Sequence, residues 1–504
     1  MKKQMRKIDV LAVAVGSIIG WGCFVMPGNS FLPSAGPIGT VIGLFLAAVM
    51  AWVIAQSYGY LIRKYPVEGG EFEYATQAFG KRHAFICGWW LILAYISFIP
   101  LNGTAIGLIT RYVFPGTILQ SVELWNIGGF DVYLGEIILT MAIVCIFMFI
   151  NIKAVKVAFV SQTFLAIAQT MIIFVFPIVI IATGKADFSY MKPLFEGSKG
   201  ESVMSGIGVI LSMAPWAFVG FDVIPQAAEE INVPLKKIGK MMILSVVLAV
   251  VFYSFVILAV GYVLNPEEIA LSQSTTGLVT ADAMAKAFGT SVMAKVIIVG
   301  GMCGIVTSWN SFMIGGSRAL YSMAESYMIP PMFAKLHPQH KTPINALFLI
   351  GALTMLAPFA GRGMMVWICD AGNFGCCLAY CMVSLSFLIL RKKEPDMPRP
   401  YRVPAYKFVG TMAVLMSGCM VLVYCIPGSG GTLVWQEWLM VGGWSLLGVV
   451  FFAVCKFKYK EKFGSLIELI SDEDAASLMP EADDEELDVV IDAAIDRVLA
   501  KMAG

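Results

Sequence analysis

The chain has 504 residues, 58% of them hydrophobic and 14% charged, with a formal net charge of +1. A soluble protein of this length carries more charge, and a near-neutral balance excludes nucleic acid as a bulk electrostatic partner. A transmembrane β-barrel would alternate over segments of about 10 residues, whereas the apolar runs here approach the ~20 residues that cross a bilayer as a helix.

Those runs predict an all-α polytopic membrane protein. The twelve spans cover residues 10–32, 38–62, 84–113, 134–152, 159–183, 203–227, 241–264, 292–323, 344–360, 364–390, 409–426 and 438–454. Lys2, Lys3, Arg6 and Lys7 precede the first span, and no small-residue cleavage site follows, so the first helix reads as uncleaved. With the N-terminus inside, 26 Lys and Arg fall in cytoplasmic pieces and 7 in outer ones, leaving aside Arg497 and Lys501. That bias places both termini in the cytoplasm of a cell-membrane protein. Residues 1–458 form the predicted twelve-helix domain, and 459–504 an acidic cytoplasmic tail. Within the tail, Leu487, Val490, Ile491, Ala494, Val498 and Leu499 recur at helical spacing. The cysteines, among them Cys23, Cys87, Cys145, Cys303, Cys376 and Cys377, read as small packing residues. No Cys/His spacing suits a metal, no cofactor is expected, and no span pairs a base with a nucleophile as an enzyme would.

Two spans are interrupted. The first carries Gly16-Ser17-Ile18-Ile19-Gly20-Trp21-Gly22, the second Ala214-Pro215-Trp216-Ala217-Phe218-Val219-Gly220-Phe221-Asp222. A broken helix in lipid frees N–H and C=O groups that cost several kcal/mol each unless protein, water or a ligand meets them. Breaks in the first spans of two successive five-helix blocks predict a substrate site at the midplane of an inverted-repeat transporter. Unwound backbone offers both N–H donors and C=O acceptors, partners for a carboxylate and an ammonium that leave water together. The N–H groups of Gly20, Trp21 and Gly22 are the predicted carboxylate donors. The carbonyls of Ile18, Trp216 and Val219 are the predicted ammonium acceptors, with Ala217 beside them. Glycine-mediated packing through Gly16-x-x-x-Gly20 competes for the first break, but leaves the second unexplained. Asp222 lies in a span, where a carboxylate is costly and functional by default. It is either a helix cap or a carrier for a coupling proton. Glu229 and Glu230, with Lys236, Lys237, Arg318 and Arg63, read as an inner gate of ion pairs, with a plain solvated loop as the alternative.

The broken spans and three loops resemble the amino acid–polyamine–organocation superfamily of permeases. Gly16–Phe24 resembles its first-helix glycine motif, and Glu68–Tyr74 (EGGEFEY) its double-glycine loop before span three. Trp216–Pro234 is similar to its sixth-helix motif, Ser317–Ala324 to the end of its eighth span, and Arg399–Pro404 to the loop before its eleventh. The resemblance implies the leucine-transporter fold, with helices one to five and six to ten as inverted repeats. It also implies transport of amino acids, and substrate contacts at the positions just named. A polyamine or ethanolamine carrier and an amino acid exchanger are the alternatives. The partners so implied are an amino acid or related amine, membrane lipid and a candidate coupling proton. Trp216 aligns with the aromatic that gates the bound substrate. Trp21 stands where the family has a small hydroxyl residue, and Gln169 where some proton-coupled members have a lysine. Thr307 and Ser308 are hydroxyls placed for a sodium ion, although such hydroxyls more often bond back to their own helix.

Overall fold

The computed structural model describes residues 5–127, 130–153, 155–195, 202–393, 403, 405–429 and 431–464. The side chains of Phe130, Val155, Ala214, Pro215, Trp216, Leu235 and Lys236 are outside that description. So are the tail helix expected around 487–499 and most of the Arg399–Pro404 motif.

The first predicted span is two helices, α1 (Lys7–Ile19) and α2 (Gly22–Met26), then a π-helical turn, Pro27–Phe31. α3 (Leu32–Lys64), the short α4 (Gly70–Phe79) and α5 (Lys81–Val113) follow. An antiparallel hairpin of β1 (Glu123–Ile127) and β2 (Phe130–Tyr133) precedes α6 (Leu134–Lys153) and α7 (Val155–Ala182). α8 (Val203–Phe218) and α9 (Val223–Gln226) flank the second break. Next come α10 (Leu235–Gly261), the short α11 (Pro266–Thr275) and α12 (Val279–Phe288), and α13 (Ser291–Glu325). α14 (Ile344–Lys393), α15 (Tyr406–Cys425) and α16 (Trp435–Tyr459) complete the described chain.

Among the described residues, nine helical stretches are long and apolar enough to cross a membrane. Two exceed one crossing: Lys7–Lys64 has 58 residues and Ile344–Lys393 has 50. Each contains a glycine in left-handed conformation, Gly36 (φ 62) and Gly361 (φ 74). Helical residues sit near φ −63°, so the chain turns at both. Pro37 then fits the start of the next helical segment, where its missing N–H costs nothing. α5 is almost wholly buried against α13 and α14, while α16 leaves Leu446, Val449 and Phe457 exposed. That contrast puts α5, α13 and α1 at the centre and α15 and α16 at the margin, where apolar side chains face lipid.

α4 lies between spans yet buries three acids, Glu68 just before it and Glu71 and Glu73 within it. Burial pushes all three carboxyls up; proximity to Glu229 and Glu230 adds to this at Glu68, and Asp222 adds to it at Glu71. Burial takes Glu73 to about 7, against the pull of a 2.6 Å hydrogen bond from Gln77. A carboxyl whose folded value exceeds the unfolded 4.5 keeps its proton longer when folded. Stability is therefore lost as pH rises through the window from 4.5 to about 7. Glu73→Gln should abolish its share, on the order of 3 kcal/mol. Melting temperatures of the two proteins should converge near pH 5, with the variant higher at pH 8. Parallel pH curves would refute this.

Candidate functional site

The two breaks meet. α1 ends at Gly20 (φ 43, ψ −152), and the second break turns at Gly220 (φ 134), a conformation closed to most residues. Ser17 Oγ lies 2.9 Å from the Gly220 carbonyl, and a Cβ on Gly220 would come within 2.7 Å of the Ser17 side chain. The backbone here is left partly unsatisfied. Among the described residues, the N–H groups of Trp21 and Gly22 find no acceptor, and the carbonyls of Ile18 and Val219 find no donor. Gly20 departs from expectation as a donor: its N–H already bonds the Gly16 carbonyl at 3.2 Å, closing the last turn of α1. Its contribution is the turn itself.

A cavity enclosing roughly 540 Å3 of empty space, part of it open to solvent, runs beside both breaks. Ile18, Gly20, Trp21, Gly22 and Val219 line it together. Ala217 does not; it is still helical, one residue before the end of α8, and fully buried. The side chain of Trp216 lies outside the described residues. Close approach of α13 shapes the far wall. A Cβ on Gly301 would strike the Trp21 ring at 2.4 Å, and one on Gly304 would strike the Gly20 carbonyl oxygen at 2.2 Å. The large Trp21 is thus accommodated by a glycine opposite it. Sequence reasoning missed Phe98, Leu101, Asn102, Phe312 and Arg362, which also line it. Asn102 donates to Ser308 Oγ at 2.7 Å; an asparagine inside the apolar α5 was the available signal. Ser308 and Thr307 bond back to the Gly304 carbonyl at 2.8 and 3.1 Å, and Thr307 also reaches the Gly16 carbonyl and Gln169 Oε1.

Asp222 sits behind the second break, fully buried. Its carboxylate accepts the Gly220 N–H at 2.8 Å, the Tyr95 hydroxyl at 2.7 Å and the Tyr380 hydroxyl at 3.1 Å. Three donors from three elements tie the break to α5 and α14. Past α9, Glu230 pairs with Arg318 of α13 at 2.6 Å, and both side chains are buried. The chain at Met5 is strapped to the same segment: its carbonyl accepts the Asn232 N–H at 2.9 Å and its N–H donates to the Glu230 carbonyl at 3.0 Å. Of the other expected gate cations, Lys236 has its side chain outside the described residues.

Comparison with known proteins shows the family. Residues 7–452 match the family model described as amino acid permease. The branched-chain amino acid permease of Bacillus subtilis is 27% identical, over 92% of this chain and 95% of its own length. The methylthioribose transporter of the same organism is also 27% identical, with the same coverage. The histidine permease of Lactococcus lactis is 24% identical over 93% of this chain and 96% of its own. The match runs through both broken helices, and the apolar stretches fit a protein that crosses the membrane many times. The chain therefore belongs to the amino acid permease family of the amino acid–polyamine–organocation superfamily, as a multi-pass membrane transporter and not an enzyme.

Proposed function

We propose that this permease carries amino acids across the cell membrane as a secondary transporter working by alternating access. The observation that carries the reading is the set of unsatisfied backbone groups around one cavity. The free N–H groups of Trp21 and Gly22 suit a substrate carboxylate, and the free carbonyls of Ile18 and Val219 suit its ammonium. A twelve-span architecture with inverted repeats of helices one to five and six to ten is consistent with the turns at Gly36 and Gly361 and with breaks at Gly20 and Gly220. In this reading residues 1–458 are the transporter, both termini are cytoplasmic, and the acidic segment 459–504 is a tail. Trp216 is the aromatic lid, and the Glu230–Arg318 pair is the inner gate. Relatives named for branched-chain amino acids and for histidine favour an amino acid over a polyamine or ethanolamine, which would leave the N–H groups unmet.

Purified protein should be stabilised in a thermal-shift screen by particular amino acids, because a ligand that binds only the folded state raises apparent stability by mass action. In Gly22→Val that shift should vanish while the protein stays monodisperse. The new Cβ would lie 2.9 Å from the Tyr253 hydroxyl and crowd the carboxylate position. Wild-type affinity in this variant would remove Gly22 from the site.

Asp222 is the proposed coupling residue. Asp222→Asn keeps one acceptor oxygen for Tyr95, Tyr380 and Gly220 but removes the titration. In proteoliposomes the variant should lose pH dependence and concentrative uptake yet keep exchange. Uptake with an unchanged pH profile would make Asp222 solely the cap of the Gly220 turn.

A further inference from the structure

The cavity beside the two breaks is lined by apolar and neutral polar residues, with one exception. Among the described residues, Arg362 is the only one of formal charge along it. Its Nη1 donates to Thr104 Oγ1 at 3.3 Å, and among the described residues no carboxylate pairs with it. Arg362 also borders the adjoining cavity, near Asp131 and Glu136, but both acids are engaged. Glu136 holds Arg111 through bonds of 2.8 and 2.9 Å, and Asp131 Oδ1 accepts from Asn126 at 2.7 Å. A guanidinium presents five donors in a rigid fork, so most of this one is unspent.

Its position makes a purely structural role hard to sustain. Arg362 directly follows the left-handed Gly361 and opens the second helical half of α14. The positive end of a helix dipole disfavours a cation there. A half-buried charge without a counter-ion is costly as well. Both costs are relieved by an anion that arrives with the ligand.

We infer that Arg362 recognises an anionic group on the substrate's side chain, so that the cavity accepts amino acids with a second carboxylate, aspartate or glutamate, and rejects lysine and arginine. The inference rests on the reading above, in which the breaks hold the α-amino and α-carboxylate groups. With those taken, Arg362 is left for the side chain, in a cavity also lined by the neutral polar Asn102 and the apolar Phe98 and Phe312. A substrate of net charge −1 neutralises the site; one of +1 puts two positive charges into a weakly screened space.

Binding of L-glutamate, L-aspartate, L-glutamine, L-leucine and L-lysine to the purified protein tests this, by calorimetry at fixed pH and salt. Wild type should bind an acidic amino acid at least tenfold more tightly than glutamine or leucine, and lysine not measurably. Arg362→Gln should reverse the preference for acid over amide, and Arg362→Lys should retain it. Wild type binding leucine or lysine more tightly than both acids overturns the inference, whatever the variants do. So does an Arg362→Gln protein that loses all amino acids alike, since Arg362 would then hold the α-carboxylate. In either case binding of amino acids as such survives, and the proposed function with it. If wild type binds none of them, both readings fall together.

Discussion

Gly304→Ala is expected to abolish uptake. A Cβ there would lie 2.2 Å from the Gly20 carbonyl oxygen, 2.5 Å from its carbon and 3.0 Å from the Trp21 nitrogen. Overpacking a core usually costs about 1–3 kcal/mol because side chains can give way. Here every close atom is backbone, at the left-handed turn that ends α1, so the cost should reach or exceed the top of that range. Relief requires α13 to withdraw or the break to move, and either displaces the free groups of Ile18, Trp21 and Gly22. The variant should show a lowered melting temperature, no ligand-induced shift and no uptake. Gly442→Ala is the control: it lies in α16 with no atom within 4 Å of its Cβ. Alanine there should be neutral or stabilising by up to about 1 kcal/mol, from helix propensity alone. Normal uptake by Gly304→Ala would show that the approach of α13 to the break is not needed for transport.

The two breaks were legible in the sequence because glycine and proline stand out inside runs that lipid would otherwise keep helical. Their neighbours were not, because those come from distant spans. Nothing local marks Gly301 and Gly304 as the seats of Trp21 and the Gly20 carbonyl, or Tyr95 and Tyr380 as the donors to Asp222. The pattern shows where a helix ends, not which N–H its last turn consumes, so it offers Gly20 as a donor although that N–H bonds the Gly16 carbonyl. Ala217 was included on proximity to the break, although α8 continues past it to Phe218. Charge counting sorts residues by loop and is blind to the direction of a side chain, so Arg362, between the predicted spans 344–360 and 364–390, weighs there only as one of the outer cations. α11, α12 and the β1–β2 hairpin carry no membrane-length signal and leave no mark in the sequence pattern, and α4 shows there only as the Glu68–Tyr74 loop. The Glu230–Arg318 pairing was foreseen among several options; the strap at Met5 was not, because one bridge of two backbone hydrogen bonds has no sequence pattern.

Arg318→Gln should destabilise the protein far more than Glu230→Gln. Both members of the pair are buried, with side chains 1% and 3% exposed. Removing one partner of such a pair typically costs about 3–5 kcal/mol, because the other charge is left without compensation. The site is asymmetric, however. Among the described residues, both carboxylate oxygens of Glu68 are buried without a hydrogen-bond partner, and Glu68 feels both Glu230 and Arg318. In Glu230→Gln, Arg318 keeps a nearby carboxyl to neutralise and a Gln oxygen to bond. In Arg318→Gln, Glu68 and Glu230 remain near one another, with Glu229 also close to Glu68, and lose the Arg318 guanidinium, while Ser317 Oγ loses the 2.8 Å bond from Nη1. Thermal unfolding should therefore rank wild type above Glu230→Gln and Glu230→Gln well above Arg318→Gln. The deficit of Arg318→Gln should shrink at low pH as the carboxyls take up protons. Because the pair ties the chain beyond α9 to α13, its loss should also expose the cavity from that side, read as faster labelling of a cysteine placed at Ser17 in an otherwise cysteine-free background. If Glu230→Gln and Arg318→Gln lose equal stability, Glu68 takes no part. If labelling is unchanged in both, the pair is a structural clamp and not a gate.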